Sequence, residues 1–212
     1  MINAITIIKK KQGLTYEKFQ NYWKDEHAEI VTRSPLVGTY VQSHPIYNDE
    51  LTFEDTIDGI AEIWFDDTNA MRSLAATKDY KDIQDDEKVF IDGSAVRLII
   101  AEDIITIEGD VSDHKLIIFM NKSSNFELTD FRKELVEKAS HYSKKNLNRM
   151  KVSLPKIAGY KGDKSPAWDA ILTFWLNVEV NQSYIDEIAS DFSNSATNII
   201  AKLCKSVVVQ EK

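Results

Sequence analysis

Asp58-Gly59-Ile60-Ala61-Glu62-Ile63-Trp64-Phe65 is written a second time in the chain, as Asp169-Ala170-Ile171-Leu172-Thr173-Phe174-Trp175-Leu176. Asp, Ile and Trp coincide in order at an offset of 111 residues. Outward from this stretch, Ile5-Thr6-Ile7-Ile8 overlays Ile117-Ile118-Phe119-Met120 at an offset of 112. At that second offset Leu14 meets Phe126 and Phe19 meets Phe131. Short apolar words often match by chance, but matches that fall on the same order of elements mark a duplicated unit.

The elements follow from local pattern. Residues 2–9 alternate and are rich in β-branched side chains, which predicts a strand. Gly13-Leu14-Thr15 supplies a turn and an N-cap at Thr15. Phe19, Trp23 and Ile30 recur at helical spacing, with Tyr22 at the edge, so a helix of about four turns follows. Ser34-Pro35 ends it, because the residue before Pro avoids the helical region. An extended stretch from Leu36 to Ile46, an acidic loop through Asn48-Asp49-Glu50 and a strand from Ile57 to Phe65 come next. Asp66-Asp67 then caps a helix carrying Ala70, Met71, Leu74 and Ala75, and Ser94 to Ile107 is a long apolar strand. The order βαββαβ is ferredoxin-like. In the second copy a helix near Tyr184, Ile185, Ile188 and Phe192 precedes a closing strand at Val207-Val208-Val209. Residues 109–114, Gly-Asp-Val-Ser-Asp-His, form a polar connector between domains at 1–108 and 115–212.

An antiparallel sheet with both helices on one face leaves its other face uncovered. In strand 57–65, Asp58, Ile60, Glu62 and Trp64 share one face, and Ile57, Gly59, Ala61, Ile63 and Phe65 the other. Both sets are apolar enough to be buried. The expected fold is therefore α+β: two tandem ferredoxin-like units whose antiparallel sheets pack face to face. Residues 1–108 alone should dimerise or aggregate through the uncovered face.

Composition narrows the function. The 212 residues are 43% hydrophobic and 28% charged, an ordinary globular balance. A net charge of -8 without a basic patch argues against nucleic-acid binding. No run reaches the roughly 18 apolar residues of a membrane span. Lys9-Lys10-Lys11 follows the first apolar stretch, the reverse of a secretory signal. The single Cys204 excludes an intramolecular disulfide, fits a reducing cytoplasm and reads as a small buried hydrophobe. Four His and one Cys without close spacing give no zinc site. GxGxxG, GxxxxGK[ST] and GxSxG are absent.

Lys10-Lys11-Gln12-Gly13-Leu14-Thr15-Tyr16-Glu17-Lys18-Phe19, then Tyr22-Trp23-Lys24-Asp25-Glu26-His27-Ala28, resembles the opening of EthD-domain proteins. Tyr40-Val41-Gln42-Ser43-His44 resembles that family's second strand, and Asp58 to Phe65 followed by Phe90-Ile91-Asp92 completes the pattern. The resemblance spans nearly the whole first half. It implies a dimeric α/β-barrel, here made within one chain, usually without a metal or tightly bound cofactor. The family's namesake is associated with fuel-ether degradation, and relatives act on aromatic polyketides or in related oxidative chemistry. Biochemical roles vary across the family, and the fold hosts many chemistries.

The second half departs from the pattern. At offset 112, Trp23 meets Leu135, Glu26 meets Lys138 and His27 meets Ala139. Aligning Tyr40 with Tyr160 sets His44 opposite Lys164, and Glu62 falls opposite Thr173. Chemistry is thus expected in the first half, with the second as scaffold.

His27, one turn after Trp23, is the first candidate acid/base group for a phenol or enol; its plainer role is a hydrogen bond to a carbonyl near a helix end. His44, before Pro45, could face His27 across a pocket mouth or end an edge strand in solvent. Glu26 falls inside the Phe19–Trp23–Ile30 stripe, where a carboxylate needs a partner such as Arg33 or a cavity. Asp58 and Glu62 could form a general acid/base pair; Asp58 recurs as Asp169, which favours a structural task, whereas Glu62 does not recur. Trp23, Trp64 and Phe90 could wall a flat aromatic ligand or be plain core. The acidic runs Asp79 to Glu87 and Asp49 to Asp58 read as solvated faces. The expected function is a small-molecule enzyme, a cofactor-independent oxygenase, cyclase or lyase on an aromatic or polyketide-like compound. Its rivals are a haem-binding barrel with His27 or His44 as axial ligand, and a non-catalytic ligand-binding or regulatory module. A homodimer of the two-copy chain is left open.

Overall fold

The computed structural model of the protein describes residues 1–46, 57–142, 147–156, 165–177 and 181–212. The acidic loop at 48–50, most of the run Asp49 to Asp58, and both Tyr160 and Lys164 lie outside the described residues.

The chain begins with β1 (Ile2–Ile8). Gly13 adopts a left-handed φ of +91°, which its missing Cβ permits, and turns the chain toward α1 (Tyr16–Tyr22). The Thr15 hydroxyl accepts from the Lys18 N–H at 3.3 Å and caps this helix, as expected. The helix then widens into a π-helical turn over Trp23–His27 before continuing as α2 (Ala28–Thr32). β2 (Tyr40–Pro45) and β3 (Gly59–Phe65) follow. Asp67 caps α3 (Thr68–Ala75) by accepting from the Asn69 and Ala70 N–H groups, each at 2.8 Å.

A further helix, α4 (Lys78–Phe90), begins at Thr77, whose hydroxyl accepts from the Tyr80 N–H at 3.1 Å. Only one helix is legible here from hydrophobic spacing, because acidic residues crowd the second. β4 (Arg97–Ile107) ends this part of the chain. The rest carries β5 (His114–Lys122), α5 (Leu128–Ser140), β6 (Leu147–Pro155), β7 (Ala170–Leu176), α6 (Gln182–Phe192) and β8 (Ala196–Gln210).

The protein is α+β. Its strands hydrogen-bond in the order β1-β3-β2-β8-β5-β7-β6-β4, an eight-stranded barrel. In the β1–β3 ladder Ile2 faces Phe65 and Ile8 faces Gly59. In the β5–β7 ladder His114 faces Leu176 and Met120 faces Ala170. These pairs are related by the same offsets, 112 and 111, that the sequence repeat shows.

The ladders revise one alignment. Tyr40 pairs with Ile63, and Met150 pairs with Phe174. The counterpart of β2 is therefore β6, at an offset of 110 that also carries Pro45 onto Pro155. The Tyr40–Tyr160 alignment is set aside, and the residue matching His44 is Leu154.

The chain divides into two compact units, Met1–His44 with Asp55–Ile100 and Val207–Lys212, and Pro45–Glu54 with Ala101–Ser206. In the first, Ile2, Ala4, Phe65, Leu74, Ile83 and Val31 are buried together. Its closing segment is fastened within the unit: Gln210 Nε2 donates to the Val37 and Gly38 carbonyls at 2.9 and 3.0 Å, and Lys212 Nζ to the Pro35 and Val37 carbonyls. In the second, Leu116, Ile118 and Met120 pack with Phe131, Leu135 and Phe192. Cys204 is buried, as expected.

Candidate functional site

The site lies in the first unit, on the helix-covered face of β1, β2 and β3. Strand alternation decides which side chains reach it. Ala4 pairs with Ile63, and Tyr40 pairs with Ile63 from the other side. Gln42 pairs with Ala61, so Tyr40, Gln42 and His44 share this face with Gly59, Ala61 and Ile63. Gly59 is required here: a Cβ would stand 2.5 Å from the Trp23 ring.

Trp23 is buried, stacks on Phe19 at 5.9 Å and lies 4.5 Å from the His44 ring. Its Nε1–H donates to the Tyr40 hydroxyl at 3.2 Å. Gln42 Nε2 donates to the Trp23 carbonyl at 2.8 Å and to the Tyr40 hydroxyl at 2.9 Å. His44 Nε2 meets Gln42 Oε1 at 2.9 Å, and its Nδ1 is bound to Gln20 Oε1. Gln20 Nε2 in turn donates to the Asp58 carbonyl at 2.8 Å. With both ring nitrogens engaged, His44 braces the indole.

His27 is placed differently. Its Nδ1 lies 2.7 Å from Asp86 Oδ2, and its ring sits 4.8 Å from that of Phe90. Asp86 Oδ1 also accepts from the Tyr22 hydroxyl at 2.6 Å. This hydrogen bond, with burial, pushes the Tyr22 phenol up to about 12. Burial drives the His27 imidazole below its ordinary value, and Asp86 opposes that only in part. The ring is then neutral at pH 7, with Nδ1–H donating to Asp86. Among the described residues, Nε2 makes no hydrogen bond.

His27 and Trp23 open onto a cavity of about 360 Å³. Its walls are apolar, with Ala4, Val31, Ile63 and Leu74 among them, and Tyr40 and Glu87 break that surface. Burial raises the Tyr40 phenol to about 12. Burial, and then the neighbouring Asp86 charge, raises the Glu87 carboxyl to about 7. The volume falls within the range of small-ligand pockets. A neutral imidazole and a carboxyl held well above its ordinary value, facing one apolar cavity, can move a proton to or from a small molecule.

The expected residues divide accordingly. Trp23, His27, His44 and Phe90 come together, the first two on the cavity wall and the others behind it. Glu62 and Trp64 alternate to the opposite sheet face; Glu62 is buried there and accepts from Asn3 Nδ2 at 3.1 Å. Asp58 Oδ2 accepts from the Lys10 N–H at 2.8 Å, and Asp169 Oδ2 accepts from the Lys122 N–H at 2.9 Å. Both acids therefore tie a strand end, and neither Asp58 nor Glu62 lines the cavity. Glu26 is exposed rather than part of the apolar stripe. The wider π turn, with its i→i+5 bonds, rotates Glu26 outward and brings His27 under Trp23.

Asp86 and Glu87 lie in the run expected to be solvated; of the outer positions Asp82 and Asp85 are exposed and Asp79 is half-buried. The signal for Glu87 was present: Tyr80, Ile83, Glu87 and Phe90 are spaced three, four and three apart, a helical stripe with one acid in it. Among the described residues, no group of three or more His, Cys, Asp or Glu could hold a metal ion. No described helix is long and apolar enough to cross a membrane.

Solved structures of similar fold span the whole chain at low identity. An anthrone oxidase-like protein matches with a TM-score of 0.62 and 8% identity, covering 100% of this chain and 94% of its own. A candidate monooxygenase from Fusobacterium nucleatum matches at 0.59 and 9%, covering 99% and 92%. Chlorite dismutase from Candidatus Nitrospira defluvii matches at 0.51 and 10%, covering 96% and 90%. These likenesses establish the dimeric α/β-barrel fold and nothing finer. No curated protein matches the sequence. The EthD domain model matches residues 11–94, the stretch that supplies His27, Asp86 and Glu87.

Proposed function

We propose that the protein is a small-molecule enzyme that removes a proton from a flat, enolisable aromatic or polyketide-like compound, with His27 as base. The observation that carries this reading is the His27–Asp86 pair, 2.7 Å apart, behind an apolar cavity. Asp86 holds the Nδ1–H tautomer and leaves the Nε2 lone pair for substrate. Trp23 and Tyr40 supply flat walls. The name of the anthrone oxidase-like neighbour, a protein of this fold, agrees with a polycyclic ketone or phenol as substrate class. Glu62, on the other sheet face, has no part in this reading.

Haem fits the cavity poorly. Of the two candidate axial ligands, His44 has both ring nitrogens bound, which leaves His27 alone on the cavity wall. The described lining residues include no Lys or Arg for the propionates, and Glu87 adds a carboxyl instead.

We also infer that the chain is a tandem of two ferredoxin-like repeats, residues 1–108 and 115–212, only the first with a working site. The paired acids Asp58 and Asp169 and the shared ladder registers support this.

The test of function is a thermal-shift screen of flavonoids, quinones and anthrone on wild type and His27→Ala. A ligand at about 100 times its Kd stabilises by about 2.7 kcal/mol, a readable rise in melting temperature. The expected result is a planar ketone or phenol that raises the melting temperature of wild type and has lost that effect in the variant. Stabilisation that survives unchanged in His27→Ala would move the site elsewhere.

A further inference from the structure

We propose that Glu87 is a second catalytic residue and that the cavity catalyses a redox-neutral keto–enol tautomerisation of a cyclic ketone fused to an aromatic ring. The proposal rests on His27 being the base and adds where the second proton comes from. Glu87 and His27 line the same cavity from different elements, α4 and the π turn. Glu87 stands in the stripe of α4 that faces inward, between the buried Ile83 and Phe90. Among the described residues its carboxyl makes no hydrogen bond or ion pair, unlike Asp86 beside it. A carboxyl turned into an apolar wall without a protein partner is costly to keep there unless it is protonated or bound to something else.

Glu87 also stands at a mouth. Gln84, Glu87, Ile91 and Val96 line both the cavity and a surface groove on the same unit. The groove gives a substrate a way in and the carboxyl contact with solvent protons. Its charged rim is partly self-satisfied: Lys88 Nζ pairs with Asp85 at 2.6 Å, and Lys11 Nζ donates to the Lys88 carbonyl. Lys81 and Asp92 complete it.

The step balances without an oxidant. The base takes a proton from the carbon beside the carbonyl, so a C–H bond breaks and its electron pair forms the C=C bond. The carbonyl π pair goes to oxygen, which takes the Glu87 proton. The product is the enol; His27 has gained a proton and Glu87 has lost one. Transfer from imidazolium to carboxylate, directly or through water, resets the site. A neutral His27 is needed, so the rate should fall at pH below its lowered value. A protonated Glu87 is also needed, so it should fall again above about 7. The other titratable groups against Glu87 are Asp86 and Tyr80 on α4 and Tyr40 on β2, and neither phenol ionises in this range.

The test follows loss of the C1–H signal of 2-tetralone in D₂O by proton NMR, against pH, with the full chain. Wild type should exchange these protons faster than buffer, with a bell-shaped kcat/KM profile. His27→Gln should return the rate to that of buffer. Glu87→Gln should lower kcat at least 10-fold, move KM no more than about threefold, and lose the alkaline limb; Glu87→Asp, which keeps an acid, should recover that limb. Exchange that needs His27 but is the same in Glu87→Gln would overturn this proposal alone. Equal rates in wild type and His27→Gln would overturn the reading beneath it as well. Wild type that binds 2-tetralone, seen as a raised melting temperature, yet exchanges no faster than buffer would overturn the tautomerase.

Discussion

Glu87 ionises near 4.5 in an unfolded chain and near 7 in the folded one, because burial disfavours its charged form. Between those values the unfolded state gives up the proton first, so stability falls as pH rises from about 4.5 to about 7 and stays lowered above. Glu87→Gln removes that loss. Urea melts should match at pH 4 and diverge by pH 8, with the variant more stable by about 1–3 kcal/mol for a half-buried group. A gap independent of pH would mean the carboxyl is solvated. His27 has the opposite sense: held below its ordinary 6.5 by burial, it contributes stability that is complete above that value and is lost as pH falls through the lowered one. Half of this pair was legible in the sequence. His27 stands in a recognisable word, Tyr22 to Ala28, whereas the stripe Tyr80, Ile83, Glu87 and Phe90 that singles out Glu87 is outweighed by the acidic run around it. The choice between Asp58 and Glu62 depended on strand alternation, which gives faces but not which face the helices cover.

At the scale of elements, the π turn and Gly59 act together. The turn sets Trp23 and His27 on one line, and Gly59 lets the indole lie on β3. Gly59→Ala should therefore cost about 1–3 kcal/mol, the range for overpacking a filled site. Thermal melts would check this; a Tm within a degree of wild type would mean that the ring moves aside freely. The strands and the caps at Thr15 and Asp67 were readable because each depends on local chemistry. The π turn was not, since no residue type in Trp23–His27 demands it, and the straight-helix expectation put Glu26 on the wrong side. Helix α4 was missed for a related reason: its polar face is so acidic that the three apolar positions were outweighed.

For the whole molecule, comparison of the sequence with itself yields offsets of 111 and 112 that recur between the β1–β3 and β5–β7 ladders. It did not foretell the offset of 110 at β2 and β6, where the words have diverged. Nor did it assign Val207–Lys212 to the first compact unit. Residues 1–108 expressed alone should self-associate, since Ile5, Ile7 and Ile60, on the sheet face away from the helices, are buried in the full chain. Light scattering on that fragment would test it, and a well-behaved monomer would show that the face tolerates water.

The fastening of Gln210 and Lys212 to the carbonyls of Pro35, Val37 and Gly38 has a consequence in time. On the ribosome, Ile100 emerges more than a hundred residues ahead of Val207. At about 5–20 residues per second the first half waits roughly 5–20 s for its last strand end. Through that interval it is a nascent chain with an unfinished edge, and chaperone demand during synthesis would be set by the half that carries the site.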